Sequence, residues 1–392
     1  MLAMLGLSLV LWPGAIARAD GGPDPLTENP ADGFGAGRPQ TMGDAVKGDP
    51  YFGYGVTVQL LGQPVAPLLN GVEGMHFNWV RQHVRWEAIE PAAGSYQWDQ
   101  LDSVVNDVSA RALHLLLVVS GTPDWARLAN ADLSHDGPPA ELASFGAFMS
   151  ALSARYQGSV DAYQVWQAPN AVSHWDSPAG PAAIEYVNLL KHAHEAVRAN
   201  APRALVVSAS LAISSQSGDS EATAYLNEMA EIGAGSWYDV LGISYLGSQG
   251  QRPGGEGLLA EYEGMDGVMT SSGTAEKPIW LTDLQWDCSA AGGLSEEAQA
   301  ELIVNLVQEA ERTPALQVVV VDGFNIALVD PAAPQGCSLI RSDWSAHPAF
   351  LGLAEMRQAH RFFGAAGPLR QVQNRAPQLG VKPYLYRPSE PD

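Results

Sequence analysis

A carboxylate and an amide-rich turn are the positions of this chain with the clearest potential for chemistry. Asp283 ends a short apolar run, and residues 166–170 read Trp-Gln-Ala-Pro-Asn directly after another. A carboxylate at such a position can act as a nucleophile or a base, and the amides of Gln167 and Asn170 can hydrogen-bond hydroxyl groups. Ala168 has no group that transfers a proton, so the turn lacks an acid of its own.

Eight short apolar runs alternate with amphipathic stretches, which is typical of a parallel sheet covered by helices. Some runs are continuously apolar, as strands buried on both faces are. The predicted strands are Phe52–Gln59, Phe77–Val84, Leu113–Ser120, Ala162–Trp166, Ala204–Ser208, Val240–Ser244, Ile279–Asp283 and Val318–Asn325. This count predicts a single (β/α)8 TIM barrel. A doubly wound sheet is the alternative, but no glycine-rich phosphate loop follows any strand.

Four amphipathic stretches predict helices, because apolar residues recur on one face at helical spacing. They are Trp98–Ala112, Ala140–Tyr156, Pro181–Asn200 and Ser295–Glu311. The last begins with Ser295 as its N-cap, and Glu296 and Glu297 follow at the positive end of the helix dipole. In a barrel, Asp283 and the turn 166–170 both come at the carboxyl ends of strands, where active sites lie.

The composition excludes some partners and suits others. The chain has 392 residues and a net charge of −22, from 43 acidic and 21 basic residues. Such a surface repels nucleic acid and anionic membranes and suits neutral ligands such as polysaccharides or oligosaccharides. No His or Cys cluster has the spacing of metal ligands, and no cofactor is predicted. The two cysteines, Cys288 and Cys337, allow one disulfide in an exported chain.

Both ends of the chain are predicted to lie outside the barrel. Residues 1–19 form a short apolar segment ending in Ala-Arg-Ala, which predicts a secretory signal peptide. Because no basic residue precedes its apolar core, a retained membrane anchor is the alternative. Residues 20–50, rich in Gly, Pro and Asp, predict a flexible leader. The barrel is expected over residues 51–363 and an irregular tail over 364–392, in a protein that is secreted or held at the cell surface.

Three further motifs follow one another along the chain. Residues 77–98 contain Trp-Val-Arg, Ile-Glu-Pro and Gly-Ser-Tyr-Gln-Trp, residues 122–126 read Thr-Pro-Asp-Trp-Ala, and residues 278–286 read Pro-Ile-Trp-Leu-Thr-Asp-Leu-Gln-Trp. With the turn 166–170, which is similar to a Trp-Asn-Glu-Pro-Asn motif, they resemble the signatures of clan A glycoside hydrolases, particularly families 39 and 5. The resemblance covers roughly residues 50–360 and implies the same TIM barrel.

The resemblance also implies what has changed at the site. In those families one Glu after the fourth strand is acid and base, and a Glu after the seventh strand is the nucleophile of a retaining mechanism. Ala168 occupies the first of these positions and Asp283, one methylene shorter, the second. Loss of acid catalysis typically costs about 10²–10⁴-fold in rate. A glycosidase fold with an impaired catalytic site is therefore implied.

The remaining site residues are also implied by the resemblance. Arg81 matches an arginine that supports the nucleophile, Ser244 stands where a histidine is frequent, and Asn325 stands where a tryptophan is common. Tryptophan faces suit sugar rings. Cys288 and Cys337 would lie on adjacent loops of one barrel face, within reach of a disulfide. The predicted substrate-binding residues are Arg81, Trp125, Gln167, Asn170, Trp175, Ser244, Trp286 and Asn325.

Three functions remain open from the sequence. The first is a non-catalytic exported barrel that binds carbohydrate or serves as a scaffold subunit, with a possible protein partner in a cell-surface assembly. The second is a weak or unconventional retaining O-glycoside hydrolase, with Asp283 as nucleophile or base and Asp176, Asp124 or Asp287 as acid. The third is a membrane-tethered interaction protein that keeps its N-terminal segment.

Overall fold

A computed structural model describes residues 52–129, 131–133, 135–214, 221–247, 256–286 and 295–363. The predicted signal peptide or anchor at 1–19, the leader at 20–50 and the tail at 364–392 lie outside these residues. Within the described ranges, no helix combines the length and the apolar character that crossing a membrane requires.

The core of the fold is one sheet in which every pair of neighbouring strands is parallel. Its strands are β1 (Gly53–Thr57), β2 (Trp79–Arg85), β3 (His114–Ser120), β4 (Ala162–Val165), β5 (Leu205–Val207), β6 (Leu211–Ser214), β7 (Leu241–Gly247), β8 (Ile279–Trp286) and β9 (Leu316–Val321). Their order is β5-β4-β3-β2-β1-β9-β8-β7-β6. The first and last strands thus pair in the middle of the order.

The two ends of this order meet, because β5 and β6 are two parts of one interrupted strand. Parallel bridges join Val207 to Val240 beside β7, and Gln167 after β4 to Ser210 before β6. The sheet therefore closes on itself, and β5 with β6 counts as the fifth of eight barrel strands. The predicted (β/α)8 TIM barrel is confirmed, with one strand at or beside each predicted position.

Ten helices are present among the described residues. They are α1 (Val65–Gly74), α2 (Trp86–Ile89), α3 (Asp99–Ala110), α4 (Leu142–Arg155), α5 (Ala183–Asn200), α6 (Glu221–Glu231), α7 (Glu256–Ser271), α8 (Glu296–Arg312), α9 (Ile326–Val329) and α10 (Pro348–Phe363). The four predicted helices correspond to α3, α4, α5 and α8. Ser295 caps α8 as expected, its side chain accepting a hydrogen bond from the Ala298 amide.

A small apolar cluster fills the barrel interior, separate from the larger core between sheet and helices. Its two largest members, Trp79 and Trp280, meet edge to face with ring centroids 4.9 Å apart. Gly53 leaves room for them, since a Cβ there would approach the Trp79 indole to 2.7 Å. The cluster comprises Trp79, Leu116, Ala162, Leu205, Val207, Val240, Trp280, Val318 and Val320. Residues further along these strands on the same inner face, among them Arg81, Gln164 and Asp322, lie at the carboxyl ends of the strands. This end of the barrel is called the barrel mouth.

A β-bulge in β8 determines which side chain faces that mouth. Leu281 pairs with Ile243 and Asp283 pairs with Ser244, so Thr282 is the extra residue between them. The Thr282 hydroxyl donates to the Ile243 carbonyl at 3.3 Å. Bulges of this kind bend a strand and redirect the side chains that follow.

Candidate active site at the barrel mouth

Asp283 lies at the mouth as a fully buried carboxylate held by three donors. The Arg81 guanidinium approaches Oδ1, with Nη1 at 3.4 Å. The side-chain amides of Gln167 and Gln285 both donate to Oδ2, at 3.2 Å and 2.9 Å. Both oxygens of the carboxylate are therefore engaged by neighbouring side chains from β2, β8 and the turn after β4.

Arg81 is shared between two carboxylates. Its Nη1 donates to the Thr57 hydroxyl at 3.0 Å and lies 3.9 Å from Oδ1 of Asp322, just after β9. The residue is fully buried, and its Nε and Nη2 have no hydrogen-bond partner among the residues described. A buried guanidinium with free donors is an incompletely satisfied group, which proteins tolerate mainly at functional sites.

Burial raises the pKa of the Asp283 carboxyl to about 7, against an ordinary value of 3.8. The positive charge of Arg81 opposes this shift, the negative charge of Asp322 adds to it, and the Gln285 hydrogen bond opposes it. Burial, with the charges of Arg81 and Arg85, holds the pKa of His83 well below its ordinary value. The mouth therefore contains a neutral imidazole and a carboxyl that takes up a proton near neutral pH.

The turn after β4 is held by hydrogen bonds and carries a methyl group where the family resemblance leads to an acid. Trp166 and Ala168 both adopt left-handed backbone conformations, with φ of 74° and 44°, which are strained for residues other than glycine. The Ala168 amide donates to the Ser210 carbonyl at 2.9 Å. Asn170 exchanges two hydrogen bonds with the Ala212 backbone, at 2.9 and 3.0 Å. The alanine is thus fixed in place at the mouth.

No protein-family model matches the chain, and no curated protein matches it. Among solved structures, the chain is similar to a family 39 glycoside hydrolase from Bacteroides cellulosilyticus WH2, at 17% identity and a TM-score of 0.60, over 77% of this chain and 62% of that one. It is similar to a glucosidase from Croceicoccus marinus, at 12% identity and a TM-score of 0.61, over 82% and 69%.

GH5_18 from Streptomyces cattleya, solved in complex with GlcNAc, is also similar, at 14% identity and a TM-score of 0.58, over 81% of this chain and 82% of that one. The chain has the TIM-barrel fold of clan A glycoside hydrolases. It spans 62% of the length of the Bacteroides protein. Sequence identities this low support a shared fold and do not establish a shared activity.

Two tryptophans that were predicted to contact substrate are largely or fully buried. Trp175 is fully buried, with ring centroids 5.4 Å from Trp166 and 5.9 Å from Tyr186. Trp286 is 6% exposed and donates to the Gly336 carbonyl at 2.8 Å. Burial in the core leaves Trp175 no exposed face and Trp286 little exposed surface, and a sugar contact through either ring stays a prediction.

Trp125 differs from these two, because 39% of its surface is exposed. It lies in a short 3-10 helix, Asp124–Ala126, after β3, and its indole donates to the Glu90 carbonyl at 3.0 Å. Its ring is therefore held at one edge and partly open to solvent. A sugar contact through Trp125 stays a prediction.

The side-chain amide of Asn325 holds the backbone of Gln59. It is fully buried, accepts from the Gln59 amide and donates to the Gln59 carbonyl, both at 2.9 Å. Both ends of the amide tie the loop after β9 to the segment after β1, and a substrate contact through Asn325 stays a prediction. Asn170 is used in the same way on Ala212. Ser244, half-buried and in register with Asp283, stays a candidate.

The structure describes two of the three alternative acids, Asp176 and Asp124. Asp176 faces Arg127, with 3.7 Å between carboxylate and guanidinium, and its amide donates to the Asp136 carbonyl. Asp124 is exposed in the short helix after β3, and Asp287 lies outside the described residues. Asp176 is therefore part of a loop contact that already engages its charge.

The predicted disulfide joins one described cysteine to one that is not described. Cys337, in the 3-10 helix Gln335–Cys337, is disulfide-bonded. Cys288, the other cysteine of the chain, lies outside the described residues, so the pairing itself stays a prediction. Among the described residues, no group of three or more His, Cys, Asp or Glu is placed to hold a metal ion.

Asp322, Gln285 and Gln164 belong to the mouth and were not predicted from the sequence. Asp322 continues the inner-face alternation of Val318 and Val320, and Gln164 continues that of Ala162. Because alternate residues of a strand face the same side, this spacing could have identified Asp322 and Gln164 as inner-face residues. Using it requires knowing which face of each strand is the inner one, and a continuously apolar strand does not reveal that.

Proposed function

We propose that this protein is a catalytically impaired glycoside-hydrolase-like barrel that binds carbohydrate at its mouth. The single observation that carries the proposal is Ala168, a fixed methyl group where an acid would have to stand. Asp283 supports it, because its two oxygens are engaged by Arg81, Gln167 and Gln285. Polar side chains at the mouth, among them the partly exposed Asp322, are groups that can orient a sugar when the chemistry is lost.

The test is to restore the acid and measure turnover of aryl β-glycosides. We expect no measurable turnover by the wild type. Ala168→Glu, alone or with Asp283→Glu, is expected to gain activity, by up to about 10²–10⁴-fold over background. The gain should grow as the leaving group becomes poorer, because poor leaving groups need protonation.

Ala168→Gln is the matched control, since it adds a side chain of the same size without a transferable proton. If the wild type and the Gln variant turn over as fast as the Glu variant, the site is not impaired and the proposal fails. Binding of cello-, xylo- and manno-oligosaccharides to the wild type, measured by calorimetry, tests the carbohydrate-binding half separately. No heat from any of them would remove that half.

A second candidate function is weak hydrolysis through Asp283. The observation that favours it is the pKa of about 7, which suits proton transfer at neutral pH. In this case activated aryl glycosides with very good leaving groups should be cleaved slowly, and Asp283→Asn should abolish the cleavage. An unchanged rate in Asp283→Asn would eliminate this candidate.

Export is part of the same proposal and rests on the apolar segment at residues 1–19. Intact-mass analysis of protein recovered from outside the producing cell tests it. A mass lacking residues 1–19 supports a cleaved signal peptide, whereas the full mass in a membrane fraction supports a retained anchor. A scaffold role in a cell-surface assembly would appear as a partner co-purified with the exported form.

A further inference from the structure

Asp322 is a mouth carboxylate to which neither the fold nor the proposed function gives a role. It follows β9 on the inner face, after Val318 and Val320, and its side chain is 23% exposed. The described residues offer its carboxylate no hydrogen-bond donor, and its one ion contact is with Arg81 at 3.9 Å. A partly open carboxylate without donors is available to a ligand.

The charges around Asp322 leave the mouth short of positive groups. Arg81 is the one cation near both Asp283 and Asp322 in the described part of the chain. The next arginine on β2, Arg85, is already held by Asp136 in a two-pronged contact of 2.5 and 2.6 Å. Two carboxylates therefore share one guanidinium, and the partly exposed Asp322 lies 3.9 Å from it, which leaves Asp322 open to an additional positive charge.

Polar atoms under the mouth also point to a ligand with hydroxyl groups. The Nε and Nη2 of Arg81 and the Oε1 of Gln164 are buried and have no hydrogen-bond partner among the residues described. Both side chains are fully buried, and both lie on the inner face of the barrel. Free donors and a free acceptor together suit hydroxyl groups, which accept and donate.

We propose that Asp322 is a specificity-determining residue, and that the mouth prefers saccharides carrying a protonated amine. The ammonium group would lie against Asp322, and hydroxyl groups would face the floor formed by Arg81 and Gln164. This proposal rests on the proposed carbohydrate-binding function. Charge-assisted N–H···O hydrogen bonds are the strong ones.

The test compares three tetrasaccharides by isothermal titration calorimetry at mildly acidic pH, where sugar amines are protonated. They are the tetramer of glucosamine, its N-acetylated form and cellotetraose, all β-1,4-linked. We expect the wild type to bind the glucosamine tetramer about tenfold more tightly than the two neutral ones. Asp322→Asn should remove this preference and leave the affinity for the neutral tetramers within about threefold.

The matched control is Glu228→Gln, which removes one exposed negative charge on α6. It should leave the preference unchanged, which separates a local contact from general attraction by the acidic surface. Equal affinities for all three tetramers would overturn the amine preference while leaving carbohydrate binding intact. A preference that survives Asp322→Asn, or that Glu228→Gln reduces equally, would overturn the assignment to Asp322. Failure of all three tetramers to bind would overturn the proposed function as well.

Discussion

At the scale of single residues, two side chains that share a hydrogen bond differ in length, in opposite directions, from the motif residues that they resemble. Asp283 is one methylene shorter than the Glu to which the family resemblance leads, and Gln167 is one methylene longer than the corresponding Asn. The two side chains still meet across the mouth, with the amide nitrogen 3.2 Å from the carboxylate. This hydrogen bond joins β8 to the turn after β4.

This compensation predicts non-additive mutations. Gln167→Asn alone should lose a hydrogen bond to a charged group, worth about 1.5–3 kcal/mol, and Asp283→Glu alone should overpack a buried site, at about 1–3 kcal/mol. The double variant should recover at least about 1 kcal/mol of the summed loss. Urea denaturation of the four proteins in a double-mutant cycle measures this coupling. Additive losses would show that the two positions vary independently.

The pKa of Asp283 also predicts a pH dependence of stability. The carboxyl titrates near 3.8 in the unfolded chain and at about 7 in the folded protein. Between these values the folded state holds a proton that the unfolded state has released, so its contribution to the free energy of unfolding falls as pH rises. Relative to Asp283→Asn, the wild type should lose at most about 1.4 kcal/mol per pH unit in this window, and nothing further above it.

Urea denaturation of both proteins in steps across this pH range checks the sign. Glu228→Gln, which changes an exposed carboxyl on α6, is the control and should follow the wild type at every pH. If Asp283→Asn also runs parallel to the wild type throughout, Asp283 does not titrate in this window.

At the scale of elements, strands were easier to predict than helices. The strands are buried on both faces, so each leaves a continuous apolar run. α1 reads Val-Ala-Pro-Leu-Leu-Asn-Gly-Val-Glu-Gly, and its proline and two glycines obscure a helical pattern that packing nevertheless stabilises. α6, α7 and α10 were also not predicted. The two-part fifth strand could not be foreseen, because its interruption depends on bridges to β4 and β7.

The loop after β9 depends on Asn325 and supplies an element-scale prediction. Asn325→Ala removes two part-buried hydrogen bonds to the Gln59 backbone and leaves the half-buried Gln59 amide and carbonyl without these partners. We expect the free energy of unfolding to fall by about 2–4 kcal/mol. The control is Asn227→Ala, an exposed residue bonded to Glu231 one helical turn away, with an expected effect under about 0.5 kcal/mol. A loss below about 1 kcal/mol for Asn325→Ala would mean that water replaces the amide.

At the scale of the whole molecule, the sequence predicted the barrel better than the mouth. Strand count and helical alternation depend on burial, which apolar residues report directly. The direction of each mouth side chain depends on the β8 bulge, on the left-handed backbone at Trp166 and Ala168, and on packing between loops. This is why Trp175 and Asn325, chosen by position along the strands, belong to the core and to the backbone scaffold.

The net charge of −22 predicts a salt response of the entire fold. Like charges repel one another more in the compact state than in the unfolded chain, and salt screens them with a Debye length of about 10 Å at 0.1 M. Raising NaCl from about 10 mM to about 0.5 M should therefore raise the thermal midpoint at pH 8. Close to the isoelectric point of about 4.6, where the net charge is small, the same salt change should have little effect. Equal responses at the two pH values would assign the effect to general salting-out and not to charge repulsion. A lower thermal midpoint at high salt and pH 8 would show that ion pairs such as Arg155–Asp102 outweigh the repulsion.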